Sequence, residues 1–452
     1  MAKPRAAIIL AAGQGTRMKS ALPKVLHPIG GRPMADWSLA LADAVGATKK
    51  VLVINAVSEA LADYAKAAVG PDGVAVQDPP LGTGHAVLAA KEALAGFEGD
   101  VVILYADSPL IQAATIERAF AALDEAQVCV LGFEAENPGG YGRLCVAATG
   151  HLDRIVEAKD ASPEELAITF CNSGVMAGDA QTLFALLSEV TNDNAKGEYY
   201  LTDVVGLARD QGLKAVAVAC EEAEVQGANS RAELAAAEAA FQARARAHWL
   251  AEGVTMLAPE TVFFSYDTEL AADVTVEPGV IFGPGVSVES RVRLRAYSHL
   301  EGCTVRAGAA IGPHARLRPG ADIGPDAHVG NFVEVKNVTL GAGAKANHLA
   351  YLGDGSVGAG ANIGAGTIFC NYDGFEKHRT EVGAGAFVGS NSALVAPVMI
   401  GDGAYVGSGS TITGDVAPDA LALARGRQTE KPGWAALYRE QKAAAKAARV
   451  KG

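Results

Sequence analysis

The stretch 305–335, VRAGAA IGPHAR LRPGAD IGPDAH VGNFVE V, puts an aliphatic residue at every sixth position: Val305, Ile311, Leu317, Ile323, Val329 and Val335. Six is neither the helix period nor the strand alternation. Ile311, Ile323 and Val329 are each followed by Gly, so a short strand and a tight corner recur together. The count returns in Val382, Val388, Leu394, Ile400, Val406 and Ile412, and an early form of it is visible at Val274, Val280, Val286 and Val292. This is the pattern of a hexapeptide β-helix.

In such a prism each aliphatic points inward, the glycine relieves crowding at the corner, and coils stack at strand spacing. One coil cannot bury its own core, so stability comes from stacking and from capped ends. The count is expected to break once, between Phe369 and Val382, where a polar and aromatic insertion (CNYDGFEKHRTE, 370–381) is expelled. Loops expelled from a rigid repeat tend to carry function.

The chain has 452 residues, enough for two or three domains. Half of it is hydrophobic and the formal charge is -13, which excludes a disordered chain and argues against a general nucleic-acid binder. Six cysteines at 129, 145, 171, 220, 303 and 370 include no CxxC pair, so reduced thiols and a cytoplasmic protein are expected. The apolar start, residues 1–12, is too short for a signal segment and reads as a first strand; no stretch is long enough to insert in a membrane.

That first strand leads into Ala11-Ala12-Gly13-Gln14-Gly15-Thr16-Arg17-Met18 and then Leu22-Pro23-Lys24. Strand, glycine-rich loop and helix start have the order of a phosphate cradle; a plain structural turn is the alternative. The letters fit neither a dinucleotide fingerprint nor a Walker loop, but Arg17 and Lys24 place two cations beside it. Apolar runs at 51–54 and 101–104 alternate with Ala-rich helical segments, which is α/β organisation with a mainly parallel sheet. Asp107 follows the second run, at the strand end where open sheets bind ligands; a cap for the following helix is the structural alternative. Asn229-Ser230-Arg231-Ala232-Glu233 has capping-box spacing, with Ser230 opening a helix to about Leu250 whose Leu234, Phe241 and Ala245 share a face.

Leu10 to Met18, Leu22 to His27, Leu81-Gly82-Thr83-Gly84-His85-Ala86, Gly140-Tyr141-Gly142-Arg143 and Gly197 to Asp203 resemble the sugar-nucleotide pyrophosphorylases. Joined to a hexapeptide β-helix, the chain resembles, over nearly its whole length, the bifunctional bacterial N-acetylglucosamine-1-phosphate uridyltransferase/glucosamine-1-phosphate acetyltransferase family. The resemblance implies an α/β protein with a Rossmann-like nucleotidyltransferase domain (1–228), a linker helix (229–251), a left-handed parallel β-helix of hexapeptide repeats (252–430) and a C-terminal helical tail (431–452).

For the first domain the resemblance implies that Arg17 and Lys24 bind the triphosphate and the leaving pyrophosphate. Leu10, Gly13, Gln77, Gly82, Thr83 and Tyr105 join them in the UTP site, Asp107 and Asn229 hold Mg²⁺, and Gly142, Glu157 and Asn172 grip the amino sugar. Ala106 stands where the family usually has Gly. His27 and His85 are expected to be structural, since transfer to a phosphate nucleophile needs positioning and charge neutralisation rather than a strong base.

For the β-helix it implies His348 as the base of acetyl transfer. Arg318, Lys336, Tyr351, Asn362, Asn371 and Tyr372 would position glucosamine-1-phosphate, and Ala365, Ser390, Ser408 and Arg425 would line the acetyl-CoA site. The expected function is acetyl transfer from acetyl-CoA and then uridylyl transfer from UTP, in a homotrimer formed through the β-helix. Two rival readings stand beside it: a one-reaction nucleotidyltransferase with a regulatory β-helix, and a non-enzymatic assembly subunit. The tail reads as a basic, solvated helix.

Overall fold

The computed structural model describes residues 3–450, which form two compact units. One runs to Ala251 and takes back Phe263–Asp267; the other holds Glu252–Val262 and the chain from Thr268 onward. Met1 and Ala2 of the expected first strand, and Lys451 and Gly452 of the expected tail, lie outside the described residues.

In the first unit the opening apolar run forms the strand Arg5–Leu10. Ala6, Ile8 and Leu10 enter one core layer while Ala7, Ile9 and Ala11 enter the other. A strand covered on both faces needs this continuous apolar run. Its neighbours are Ala47–Asn55 and Asp100–Tyr105, both parallel to it. The sheet continues to Val74–Gln77 on one side; on the other it passes through Phe170–Asp179, antiparallel to both neighbours, to Val128–Glu134 and Ala215–Cys220. The chain order therefore reverses at Arg5–Leu10, which places a crevice at the carboxyl ends of the central strands.

The helix Arg231–Ala251 packs into this unit through Ala237 and Phe241, against Ile29, Met34 and Leu110, with Leu234 and Ala245 alongside. Gly30, at φ 57°, lies under the Phe241 ring with no space for a Cβ. The Ser230 hydroxyl accepts from Glu233 N at 3.3 Å, as a cap should. The Glu233 carboxylate, however, reaches back to Asn229 N at 2.6 Å rather than closing a box on Ser230.

In the second unit two-residue strands pair in parallel with strands one coil away, as Thr275-Val276 does with Arg293-Leu294. The aliphatic series from Val305 to Val335 and from Val382 to Ile412 are buried throughout, and their stacking makes a parallel β-helix of the left-handed hexapeptide kind. Each short strand turns in two side chains, two residues apart, so the early series at Val274, Val280, Val286 and Val292 is buried together with Val276, Phe282, Val288 and Leu294.

The expectation of a single break in the count is corrected. Leu300 to Val305, Val335 to Leu340 and Leu352 to Val357 are also irregular, each advancing five residues. The cause is a corner contracted by one residue, turned by Gly302 (φ 53°), Asn337 (φ 50°) and Asp354 (φ 51°) in the left-handed region. At the last two the chain runs through the corner as seven-residue strands, Glu334–Leu340 and Tyr351–Val357. The insertion after Phe369 folds as a small hairpin bridged between Tyr372 and Lys377. Asp373 ties it by accepting from Phe375 N and Glu376 N, each at 2.8 Å, and by pairing with His378.

The tail contains the helix Trp434–Val450, exposed over residues 434–449, on which Trp434 stacks with Tyr438 at 5.0 Å. Among the described residues no helix is long and apolar enough to cross a membrane. The fully buried Phe369 ring closes the coil core just before the hairpin. Phe369→Ala is expected to cost about 3–5 kcal/mol, read as an earlier unfolding transition of the β-helix in denaturant.

Candidate active sites

The loops that follow the central strands of the first unit surround a cleft of about 360 Å³. Leu10, Gly13, Lys24, Gln77, Gly82, Thr83, Tyr105 and Asp107 line it together. Two distant segments build one wall: Gly84 N donates to Tyr199 O at 2.8 Å, Tyr199 N donates to Leu81 O at 2.8 Å, and Leu201 N donates to the Thr83 hydroxyl at 3.1 Å. Gly82 sits at φ 110° with Tyr199 backbone so close that a Cβ would fall 2.6 Å from its carbonyl oxygen. Buried Gln77 donates to Gly82 O at 2.8 Å, and its amide nitrogen lies 3.4 Å from His85 Nδ1, so His85 belongs to the loop's framework. His27 is buried, and burial pushes its imidazole below the ordinary range.

At the mouth, Lys24 Nζ lies 2.5 Å from Asp107 Oδ2 and 2.9 Å from Asn229 Oδ1. Asp107 is thus committed to a cation rather than to capping a helix. Two hard oxygens, one anionic, converge on a single positive point, and Glu233 fixes the backbone of Asn229 beside it. That donor set fits Mg²⁺, which takes one or two protein oxygens and fills its shell with water and phosphate. Among the described residues no cluster of three or more His, Cys, Asp or Glu side chains offers a stronger metal site. Arg17 is exposed on the turn Thr16–Met18; its neighbours Gly15 and Thr16 line an adjoining cleft, but Arg17 does not.

The three residues expected to hold the sugar do come together. Asn172 N donates to Gly142 O at 2.8 Å, and a Cβ at Gly142 would lie 3.6 Å from both Asn172 Cβ and Glu157 Oε1. Burial raises the Glu157 carboxyl above its ordinary range against the opposing pull of Lys196 and the Thr202 hydroxyl. Tyr105 lines the cleft and also faces this side, with burial and the carboxylates of Asp107 and Glu157 pushing its phenol up. Buried Arg143 shapes the loop before Gly142 by donating to the carbonyls of Pro138, Gly139 and Tyr141. The buried methyl of Ala106 enters the core layer behind the sheet.

In the β-helix, coil stacking orders the remaining residues into two runs. His348 ends the strand Lys345–His348, and Gly366 N reaches its carbonyl at 3.3 Å. Asn391 N donates to Ala365 O at 2.7 Å, Gly409 N to Ser390 O at 2.8 Å, and Arg425 to Ser408 O at 2.6 Å. Ala365, Ser390, Ser408 and Arg425 therefore occupy successive levels after His348. Asn362, on Asn362-Ile363, pairs in the same sheet with Lys345.

The other run lies beyond the corner at Leu349. Glu334 pairs in register with Tyr351 and Lys336 with Gly353, while Arg318 donates to Glu334 at 2.7 Å. Asn371 is buried and Tyr372 exposed, at the root of the hairpin.

Two side chains that sequence reasoning passed over join these runs. Asn331 Oδ1 lies 2.7 Å from His348 Nδ1; a carbonyl only accepts, so Nδ1 is the donor, and in the neutral imidazole this leaves the lone pair on Nε2. Lys377 comes from the hairpin to lie beside Lys336, whose ammonium holds it below the ordinary lysine range. The signal for Asn331 is its place one coil before His348, a distance of seventeen residues rather than eighteen because one corner is short. For Lys377 it is a cation inside the expelled loop.

This pair of sites defines a class: a nucleotidyltransferase fold and a hexapeptide transferase on one chain. A family model described as the MobA-like NTP transferase domain matches residues 7–167, and one described as bacterial transferase hexapeptide (six repeats) matches residues 379–414. The Bifunctional protein GlmU of Hyphomonas neptunium is 60% identical over 449 residues, covering 99% of this chain and 97% of that one. Its counterpart in Caulobacter vibrioides is 60% identical over 445 residues, covering 98% of this chain and 96% of that one. That of Ruegeria sp. is 56% identical over 448 residues and covers 99% of each.

The chain belongs to the bifunctional GlmU family. It is an enzyme that combines a nucleotidyltransferase with an acyltransferase of the hexapeptide-repeat type.

The crowding at Gly82 makes the nucleotide cleft sensitive to one methyl. Gly82→Ala is expected to raise KM for the nucleotide by about tenfold or more, matching the ~1–3 kcal/mol of forced backbone strain, with acetyl transfer by the same preparation unchanged.

Proposed function

We propose that the two clusters of side chains are the active sites for two consecutive steps of UDP-N-acetylglucosamine synthesis. The β-helix transfers acetyl from acetyl-CoA to glucosamine-1-phosphate. The first unit then transfers uridylyl from UTP to N-acetylglucosamine-1-phosphate and releases pyrophosphate. The observation that carries the reading is the Asn331–His348 contact, which leaves a ring nitrogen free for proton transfer.

In the acetyl reaction the sugar amine attacks the thioester carbonyl and His348 Nε2 takes the proton that the nitrogen sheds. The new C–N bond forms as the C–S bond breaks, and the same proton passes to the leaving thiolate. Asn331 holds the tautomer and ring orientation that this demands. Arg318, Lys336, Tyr351, Asn362, Asn371 and Tyr372 position the sugar phosphate, with Lys377 as a further cation beside Lys336. Ala365, Ser390, Ser408 and Arg425 line the CoA path, in keeping with their succession of levels after His348.

In the uridylyl reaction a phosphate oxygen of the sugar attacks the α-phosphorus of UTP, and the P–O bond to pyrophosphate breaks. No proton has to move. Lys24 and Arg17 neutralise charge on the triphosphate and the departing pyrophosphate. Leu10, Gly13, Gln77, Gly82, Thr83 and Tyr105 seat the nucleotide, while Gly142, Glu157 and Asn172 hold the sugar. Asp107 and Asn229 would hold Mg²⁺, which when bound supplies charge neutralisation at the phosphates.

Assembly as a homotrimer through the β-helix belongs to the same proposal. Its support is an exposed stripe up the corner that carries His348. Tyr297, His314 and Phe332 stack at 5.2 Å spacings and Leu349 follows, all four in the left-handed region. Bulky side chains held outward in that conformation suit contact with another copy. Cytoplasmic placement is supported by six free thiols. With a charge of -13, small anionic substrates are met at local basic groups, and no nucleic-acid partner is proposed.

His348→Ala is expected to lower acetyl transfer by about 10²–10⁴-fold and to leave uridylyl transfer to supplied N-acetylglucosamine-1-phosphate intact, measured as thiol and pyrophosphate release. Equal loss of both activities would refute two separate sites. Asp107→Ala should do the reverse, removing Mg²⁺-dependent pyrophosphate release while thiol release persists.

A further inference from the structure

Asp354 is a buried carboxylate that the acetyl-transfer mechanism above does not use. It is 8% exposed and occupies the contracted corner of Tyr351–Val357 in a left-handed conformation. Asn337 Nδ2 donates to its Oδ1 at 2.8 Å and Asn371 Nδ2 donates to its Oδ2 at 2.6 Å. A carboxylate only accepts, so both amides must turn their NH₂ groups toward it. The carbonyl oxygen of Asn371 is thereby directed elsewhere. Gly353 sharpens the constraint: a Cβ there would fall 2.5 Å from the Tyr351 hydroxyl and 2.8 Å from Asn371 Nδ2, so phenol and amide share the space a side chain would fill.

Charge points the same way. The ammoniums of Lys336 and Lys377 both act on Asp354, and Asp354 is the carboxylate that opposes the repulsion Lys336 exerts on Lys377. Burial alone would raise the Asp354 carboxyl; the two amides and the two lysines outweigh it and hold the group below its ordinary range. Tyr351 is the remaining titratable neighbour of Lys377, and the Arg318–Glu334 pair faces Tyr351 from the preceding coil.

We propose that Asp354 is a positioning residue for acetyl transfer: its carboxylate fixes the amide of Asn371 and supplies the fixed counter-charge that keeps Lys336 and Lys377 together as a dication for the substrate's phosphate. The inference rests on the assignment of this face to glucosamine-1-phosphate. Two ammoniums side by side repel unless an anion stands between or beneath them, and a phosphate cannot serve before it arrives. Asp354 is therefore the group that preorganises the pair in the free enzyme.

The test uses the full chain. Thiol release by the wild type with acetyl-CoA and glucosamine-1-phosphate comes first; its absence would defeat the assignment of the face rather than the role of Asp354. Asp354→Asn is then compared across pH. Without the counter-charge Lys377 loses its proton at lower pH, so the alkaline rise in KM for glucosamine-1-phosphate should move toward neutrality. On the alkaline limb, above the pH at which the wild-type KM begins to rise, that KM should be raised by up to about tenfold, the effect of a shift near one pH unit, while KM for acetyl-CoA and the rate of uridylyl transfer stay within about twofold of wild type. An unchanged alkaline limb with an unchanged sugar-phosphate KM would overturn the proposal, as would equal rises in both KM values. If Asp354→Asn does not fold, Asp354→Ser is measured in the same way. Failure of both to fold would assign Asp354 to stability alone and also overturn it.

Discussion

Parallel strand pairing is the constraint on which both units depend. In the first unit it aligns the carboxyl ends of Arg5–Leu10, Ala47–Asn55, Val74–Gln77 and Asp100–Tyr105, so that the loops after them open on one cleft. In the second it stacks coil on coil, so that side chains inherit neighbours seventeen or eighteen residues away, as Thr275 with Arg293 and Asn331 with His348, and twenty-five away across the hairpin, as Asn362 with Phe387. The sites are consequences of that pairing. Lys24, Asp107 and Asn229 meet because a glycine-rich loop, a strand end and a helix entry converge at one mouth. Asn331 meets His348 because their strands are consecutive rungs.

Charge is managed differently in the two units. At the nucleotide cleft one ammonium is shared by a carboxylate and an amide oxygen, with little of the Lys24 and Asp107 side chains exposed to solvent. That arrangement keeps a cation at the mouth of the cleft. On the β-helix the cations are crowded instead: Lys336 and Lys377 lie side by side, with Asp354 among them. Neither arrangement requires an overall basic protein: local cations of this kind sit in a chain whose net charge is -13.

Much of this was legible in the sequence. The sixfold aliphatic count located the buried wall of the prism, and Val305 through Val335 all point inward. The motifs around Gly13, Gly82 and Gly142 marked segments that the structure brings to one region. The contracted corners were not legible, because Gly302, Asn337 and Asp354 read as ordinary loop residues until their left-handed backbone is seen. Their consequence is specific: three full hexads before His348 lead to Gly330, whereas the real partner is Asn331. Side-chain reach across the sequence was equally hidden. The capping-box spacing pointed Glu233 back to the helix entry but at Ser230 rather than Asn229, and nothing near Lys24 announces a shared contact with Asp107 and Asn229.

Coupling of two chemistries on one chain is the central claim, and a single preparation can decide it. Free thiol and pyrophosphate should be followed together after mixing the protein with acetyl-CoA, glucosamine-1-phosphate, UTP and Mg²⁺. Thiol release that precedes pyrophosphate release, with both approaching equal amounts, is the result expected. Pyrophosphate release from supplied N-acetylglucosamine-1-phosphate with no thiol release from glucosamine-1-phosphate under any condition would contradict it.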